Sequence, residues 1–315
     1  MTASAPLRTI VRDLEFQNPI VLAAGTAGYG EELTGVMRLG AIGGFVTKAV
    51  SLAPRDGAPS PRVAEFDGGM INAVGLANPG LDAVRRDNIP WLGANLAGTR
   101  KLVNVVGFTV DDYPAIVAGL EEALVGFPAA ADGFELNVSC PNTKAGGMEF
   151  GADPAALRAV VERARRETKR PLFVKLSPVL PNIADSARIA VDAGADAISV
   201  VNTIPGLVID VERRRPVLGF GTGGVSGPAI LPVGVLATWK VHRAVSVPIL
   251  GLGGVQSGLD ALQYILAGAS LVGVGTAAMR DPRTPERIVR ELEDWCRSHR
   301  IHELQSLCGT LEWPA

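Results

Sequence analysis

Short, almost continuous apolar runs alternate along this chain with segments of helical periodicity. The runs are IVLAA (20–24), GFVTK (44–48), LVNVVGF (102–108), GFELNVS (133–139), PLFVKLS (171–177), AISVVN (197–202), PILGLG (248–253) and LVGVGT (271–276). Their length and lack of polar alternation predict strands buried on both faces, as in a parallel sheet. Amphipathic stretches lie between them, at 153–167, 182–194, 257–268 and 284–299. In the first of these, Asp153 can cap the helix, Pro154 fits the first turn, and Leu157, Val160, Val161 and Ala164 share one face. Eight strands, each followed by a helix or a long loop, predict a closed (β/α)8 barrel, a TIM barrel; the rival is an open doubly wound sheet.

Two insertions interrupt the alternation, at 49–80 after the second strand and at 203–228 after the sixth. Loops this long are uncommon unless functional, and both follow the strand C-termini, where barrel active sites lie. No low-complexity linker divides the chain, so residues 1–315 are read as one domain. The uncharged window 261–279 has about the length of a membrane span. Its pattern changes from helical to β-like across Ala-Gly-Ala, which a buried helix followed by a buried strand explains better.

Composition narrows the class. Hydrophobic residues make up 47% and charged residues 20%, as in a globular protein with a substantial core. A net charge of −2 supplies no basic field for a nucleic-acid backbone. Three widely spaced cysteines form neither a disulfide framework nor a CxxC metal pair, which suits a reducing cytoplasm. The stretch MTASAPLRTIVRDLEF lacks the apolar core of a signal peptide. No metal, membrane or nucleic-acid partner is expected.

The strand C-termini collect Lys48, Asn104, Asn137 with Cys140, Lys175, Asn202 with Thr203, Gly253-Gly254 and Gly275-Thr276. A barrel would converge them on one pocket that is polar, cationic at two points and free of His, Asp and Glu. A single strand-end lysine commonly does no more than snorkel to solvent. Two at one barrel face suit a bound anion or an electron-rich ring. Glycines also serve tight packing, but after the last two strands of a barrel they often build a phosphate site from backbone N–H groups. GTAGYG (25–30) does not have the GxGxxG spacing of a dinucleotide fold.

A buried cysteine is usually a small hydrophobe, and Cys296 and Cys308, on the terminal helix and in the tail, are read that way. Cys140 differs, because it follows a strand and precedes Pro141, Asn142 and a Gly-rich loop. His242, His299 and His302 fall on outer helices or the tail, which makes a His-based triad improbable. Cys140 therefore leads as the proton-transfer group, with a free-thiol pKa of ~8.5 that nearby lysines would lower.

Taken together, FVTKAV (45–50), PRVAEFDGGMINAVGLANPG (61–80), NVSCPNTKAGGMEFG (137–151), VKLSP (174–178), VVNTIPGLVIDVERRRPVLGFGTGGVSGPAI (200–230), GLGG (251–254) and VGVGTA (272–277) resemble the class 1 dihydroorotate dehydrogenases, flavin barrels of pyrimidine synthesis. The resemblance implies FMN held by Ala24, Lys48, Ala49, Asn104, Asn137, Lys175, Val201, Gly227, Gly253, Gly254, Gly275 and Thr276. It implies dihydroorotate or orotate held by Lys48, Asn72, Ala73, Val74, Gly75, Leu76, Asn137, Asn142, Asn202 and Thr203, with Cys140 as the base for the C5 proton. Many relatives place serine where this chain has Ala24, a loss of one hydrogen bond worth ~1 kcal/mol. The membrane-bound class 2 enzymes use serine as base. Within class 1, the 137–151 and 208–219 stretches look like class 1B, whose catalytic chain works with a subunit carrying FAD and a 2Fe-2S cluster that passes electrons to NAD. A homodimer or heterotetramer follows from that likeness. A fumarate-linked class 1A enzyme, a related flavin-dependent pyrimidine oxidoreductase, and a phosphate-binding barrel isomerase or non-catalytic binder remain the alternatives.

Overall fold

A computed structural model describes residues 5–96, 98–139 and 150–314. All eight apolar runs form strands, each shorter than its run: β1 Ile20–Leu22, β2 Gly44–Val46, β3 Arg100–Val105, β4 Gly133–Asn137, β5 Leu172–Leu176, β6 Ala197–Val200, β7 Ile249–Leu252 and β8 Leu271–Val274. They are parallel and sequential around a closed barrel. The open-sheet alternative ends at one seam, where β8 pairs with β1 through Val272 opposite Ile20 and Val274 opposite Leu22.

Alternation along the strands sorts the side chains. Val103, Val105, Phe134 and Leu136 face the surrounding helices. Val21, Val46, Leu102, Phe173, Ala197, Leu250 and Leu271 fill the barrel's lower interior, joined there by Val11 and Phe16 of an N-terminal hairpin. That hairpin plugs the N-terminal end, with Arg100 Nε at the start of β3 donating to Glu15 O at 2.7 Å. With the bottom sealed by apolar packing, the polar residues of the same strands are left to the opposite end.

The outer helices are α1 Ile89–Asn95, α2 Asp112–Leu124, α3 Pro154–Glu167, α4 Ile183–Asp192, α5 Leu231–His242, α6 Gly258–Leu266, α7 Thr276–Arg280 and α8 Thr284–His299. Asp153 caps α3 as its position predicts, Oδ1 accepting from Ala155 N at 2.9 Å and Ala156 N at 3.1 Å. A capping box between Ser257 and Asp260 opens α6. On α8, Ile288, Val289, Leu292 and Cys296 are buried on one side while Arg and Glu residues face out. Full burial of an Ile or Leu side chain such as these contributes about 1.5–3 kcal/mol. After β1 the chain makes only two 3-10 turns, Glu31–Leu33 and Leu39–Ala41, instead of a helix. The 261–279 window resolves into α6 and β8. No helix among the described residues is long and apolar enough to cross a membrane.

The insertions are more ordered than their Pro- and Gly-rich composition implies. Val63–Phe66 and Gly69–Asn72 from the first join Ile204–Gly206 and Gly223–Ser226 from the second in one four-stranded antiparallel sheet. Its central pairing sets Ile71 opposite Val225. Ile71, Ala73, Ala58 and Leu218 form a small core of their own beneath it.

Candidate active site

Between the strand C-termini and this accessory sheet lies a cavity of about 430 Å³, a size typical of small-molecule sites. Its floor is the upper barrel interior, where the side chains change from apolar to polar. Asn104, Glu135 and Ser199 are each at most 1% exposed. Glu135 accepts from Asn104 Nδ2 at 2.8 Å on one carboxylate oxygen and from Ser199 Oγ at 2.7 Å on the other. Asn104 Oδ1 is buried and has no hydrogen-bond partner among the described residues. Asn104 lines the cavity, as do Lys48 and Lys175.

Both lysines stand at strand ends in the register the sequence predicts. Lys175 is only 6% exposed. Among the described residues, neither ammonium has a hydrogen-bond or ion-pair partner. A buried cation without a counter-charge is costly, so this pair is poised for an anionic or electron-rich ligand.

A chain of amides and hydroxyls spans the next edge. Asn137 Oδ1 accepts from Ser139 Oγ at 3.1 Å, which leaves Asn137 Nδ2 for the cavity. Ser139 Oγ in turn accepts from Asn202 Nδ2 at 2.8 Å, and Asn202 Oδ1 accepts from Thr203 N at 2.8 Å. Thr203 lies so close to the accessory sheet that a Cβ on Gly224 would fall 2.0 Å from its Oγ1. Only glycine fits there. Asn72 Nδ2 donates to Gly224 O at 3.2 Å, tying the two insertions together at the cavity wall.

The opposite end is built from backbone. Gly253 and Gly254 follow β7 with φ of 126° and 76°, and a Cβ on Gly254 would lie 2.6 Å from Leu231 N. The fully buried Tyr264 of α6 donates to Gly253 O at 2.7 Å. Burial, and secondarily the charge of Asp260, push its phenol well above the usual tyrosine range, so it remains a donor. Gly275 and Thr276 open α7, whose first N–H groups have no intrahelical acceptor. Thr276 Oγ1 donates to Ser226 Oγ at 2.7 Å. Two glycine turns and exposed amides make an anion cradle of the kind phosphates use.

Ala24, Ala49, Val201 and Gly227 also line this cavity, as do Val74, Gly75 and Leu76; Leu76 is held at φ 59°. Ala73 does not, since its side chain packs into the accessory core. Cys140 and Asn142 lie outside the described residues. Cys296 is buried in α8, and Cys308 donates to Ala269 O at 3.6 Å; burial raises both thiols. None of the three histidines reaches the cavity.

Sequence reasoning missed Glu135, Ser139, Ser199, Ser226 and Tyr264. Glu135 carried a readable signal: it stands two residues before Asn137 on one strand, hence on the same face. The strand-end inventory, which contains no acid, stops one step above it.

The fold and site define a parallel barrel enzyme with a cationic, amide-lined mouth and a backbone anion cradle. The family model for dihydroorotate dehydrogenase matches residues 6–295, and the chain belongs to that family. It is 44% identical over 302 residues to the protein named dihydroorotate dehydrogenase B (NAD(+)), catalytic subunit, of Geobacter sp. (strain M21), covering 96% of this chain and 97% of that one. The protein of the same name from Pelobacter propionicus is 46% identical over 299 residues, covering 95% and 96%.

Proposed function

We propose that this chain is the catalytic subunit of a B-type dihydroorotate dehydrogenase, oxidising (S)-dihydroorotate to orotate in pyrimidine biosynthesis with FMN as its cofactor. The observation that carries the cofactor reading is the buried Lys175 ammonium, without a partner among the described residues, in one cavity with Lys48 and with two glycine turns suited to an anion. A flavin mononucleotide has the matching polarity, an electron-rich ring at one end and one phosphate at the other. Lys48, Asn104, Asn137 and Lys175 would hold the ring, and Gly253, Gly254, Gly275 and Thr276 the phosphate. When bound, FMN supplies the acceptor for the C6 hydride.

The chain's own residues do the rest. Asn72, Asn137 and Asn202 offer amides that match the alternating donors and acceptors of a cyclic imide, and Thr203 and the Val74–Leu76 backbone close the wall beside them. Cys140 removes the C5 proton; the NVSCPN motif and the absence of histidine from the cavity support that assignment. Asn142, two positions on in the same motif, anchors substrate. Electrons leave toward NAD through a second subunit bearing FAD and a 2Fe-2S cluster, a reading supported by the relatives' names, which include both NAD(+) and a catalytic subunit. The chain acts as one domain in the cytoplasm, within a homodimer or heterotetramer.

The test is an anaerobic titration of purified protein. It should be yellow, and dihydroorotate should bleach the flavin band. A colourless protein that FMN cannot reconstitute would sink the cofactor assignment, and bleaching by dihydrouracil alone would reassign the substrate. Cys140→Ala should bind FMN normally yet reduce at least ~100-fold more slowly; unchanged reduction would remove Cys140 from the chemistry.

A further inference from the structure

One buried acid is not accounted for by the reaction above. Glu135 is 1% exposed, sits inside the barrel directly beneath the cavity, and among the described residues has no cation within ion-pair distance. Its two oxygens are committed, one to Asn104 Nδ2 at 2.8 Å and the other to Ser199 Oγ at 2.7 Å, two strands away. A carboxylate is an acceptor, so the amide beside it must turn its NH₂ inward. That choice leaves Asn104 Oδ1 on the other side of the amide, buried and without a partner among the described residues, in a residue that lines the cavity. Unpaired buried acceptors are rare in native proteins, and one at a cavity wall points to a ligand donor.

We propose that Glu135 is a positioning residue that fixes the rotamer of the Asn104 amide, so that the cavity presents an acceptor at this point and selects a ring N–H. Ser199 holds the carboxylate from behind. The proposal rests on the flavin reading, and its chemistry is specific. An oxidised isoalloxazine carries one ring N–H, at N3, so the acceptor addresses the pyrimidine edge of the ring. A free amide could flip and offer NH₂ to the same position, losing that discrimination. The carboxylate removes the alternative without touching the ligand itself.

The experiment compares binding of FMN and of N3-methyl-FMN to apoprotein, followed by flavin fluorescence quenching. The unaltered protein should bind FMN at least roughly tenfold more tightly than the N3-methyl analogue, the scale of one good buried hydrogen bond. Glu135→Gln is nearly isosteric and can meet Asn104 with either its NH₂ or its carbonyl, so it no longer holds the amide in one orientation. It should weaken FMN binding and bring the FMN to N3-methyl-FMN ratio close to one. Ser199→Ala, which releases one side of the carboxylate, should shift the ratio in the same direction by less, and serves as the test if Glu135→Gln does not fold. A ratio unchanged in both folded variants overturns the proposal, as does equal binding of the two flavins by the unaltered protein. Failure of the unaltered protein to bind any flavin would instead overturn the cofactor assignment on which it stands.

Discussion

The Lys175 side chain is 6% exposed and has no hydrogen-bond or ion-pair partner among the described residues, and burying a lysine without a counter-charge costs stability that an anionic ligand would offset. Replacing it with methionine keeps the aliphatic stem and removes the charge. Lys175→Met should weaken FMN at least ~10-fold while leaving the apoprotein melting temperature unchanged or higher; a lower melting temperature with intact FMN affinity would contradict this. Both lysines, and Asn104, Asn137 and Asn202 in the same cavity, were legible in the sequence because they fall in or at the end of apolar runs, and strand ends of a barrel face one pocket; Asn72 came only with the family resemblance. Glu135 left only a partial trace, its spacing two residues before Asn137, because what it does has meaning only once its neighbours on β3 and β6 are known. Tyr264 was hidden for a different reason: it is one apolar position among several on α6, and only its contact with Gly253 O separates it from ordinary core.

At the scale of elements, the eight strands and the helices α3, α4, α6 and α8 were legible from periodicity and caps. Asp153→Ala should cost about 1 kcal/mol through the lost cap, read as a small drop in melting temperature with FMN affinity unaltered. The accessory sheet was not legible. Its strands are short, its register joins Asn72 to Gly224 across 152 positions, and neither insertion carries an alternating pattern strong enough to announce a partner. The glycine at 224 is the clearest trace it leaves. Gly224→Ala would drive a methyl into Thr203, so the Michaelis constant for dihydroorotate should rise about tenfold or more while FMN remains bound. Equal loss of FMN would mean that the sheet supports the ring end of the cavity as well.

For the whole molecule, the closed barrel and the family are secure in the sequence pattern, whereas the proposed electron transfer to NAD would pass through a second chain. Purification from the native source should recover iron and FAD in proportion to FMN; their absence, with fumarate accepting electrons directly, would place the protein with the A-type enzymes. The architecture also orders events in time. Successive barrel strands pair with their neighbours in the chain and the β8–β1 seam closes the barrel, whereas the sheet that walls the substrate side joins two insertions whose ends only the barrel brings together, so the loop it closes stays entropically expensive until the barrel has formed. Refolding should therefore restore the far-ultraviolet signal and FMN capture before orotate binding. Newly made chains would pass through an interval in which they hold the flavin but have no wall against which to hold a pyrimidine.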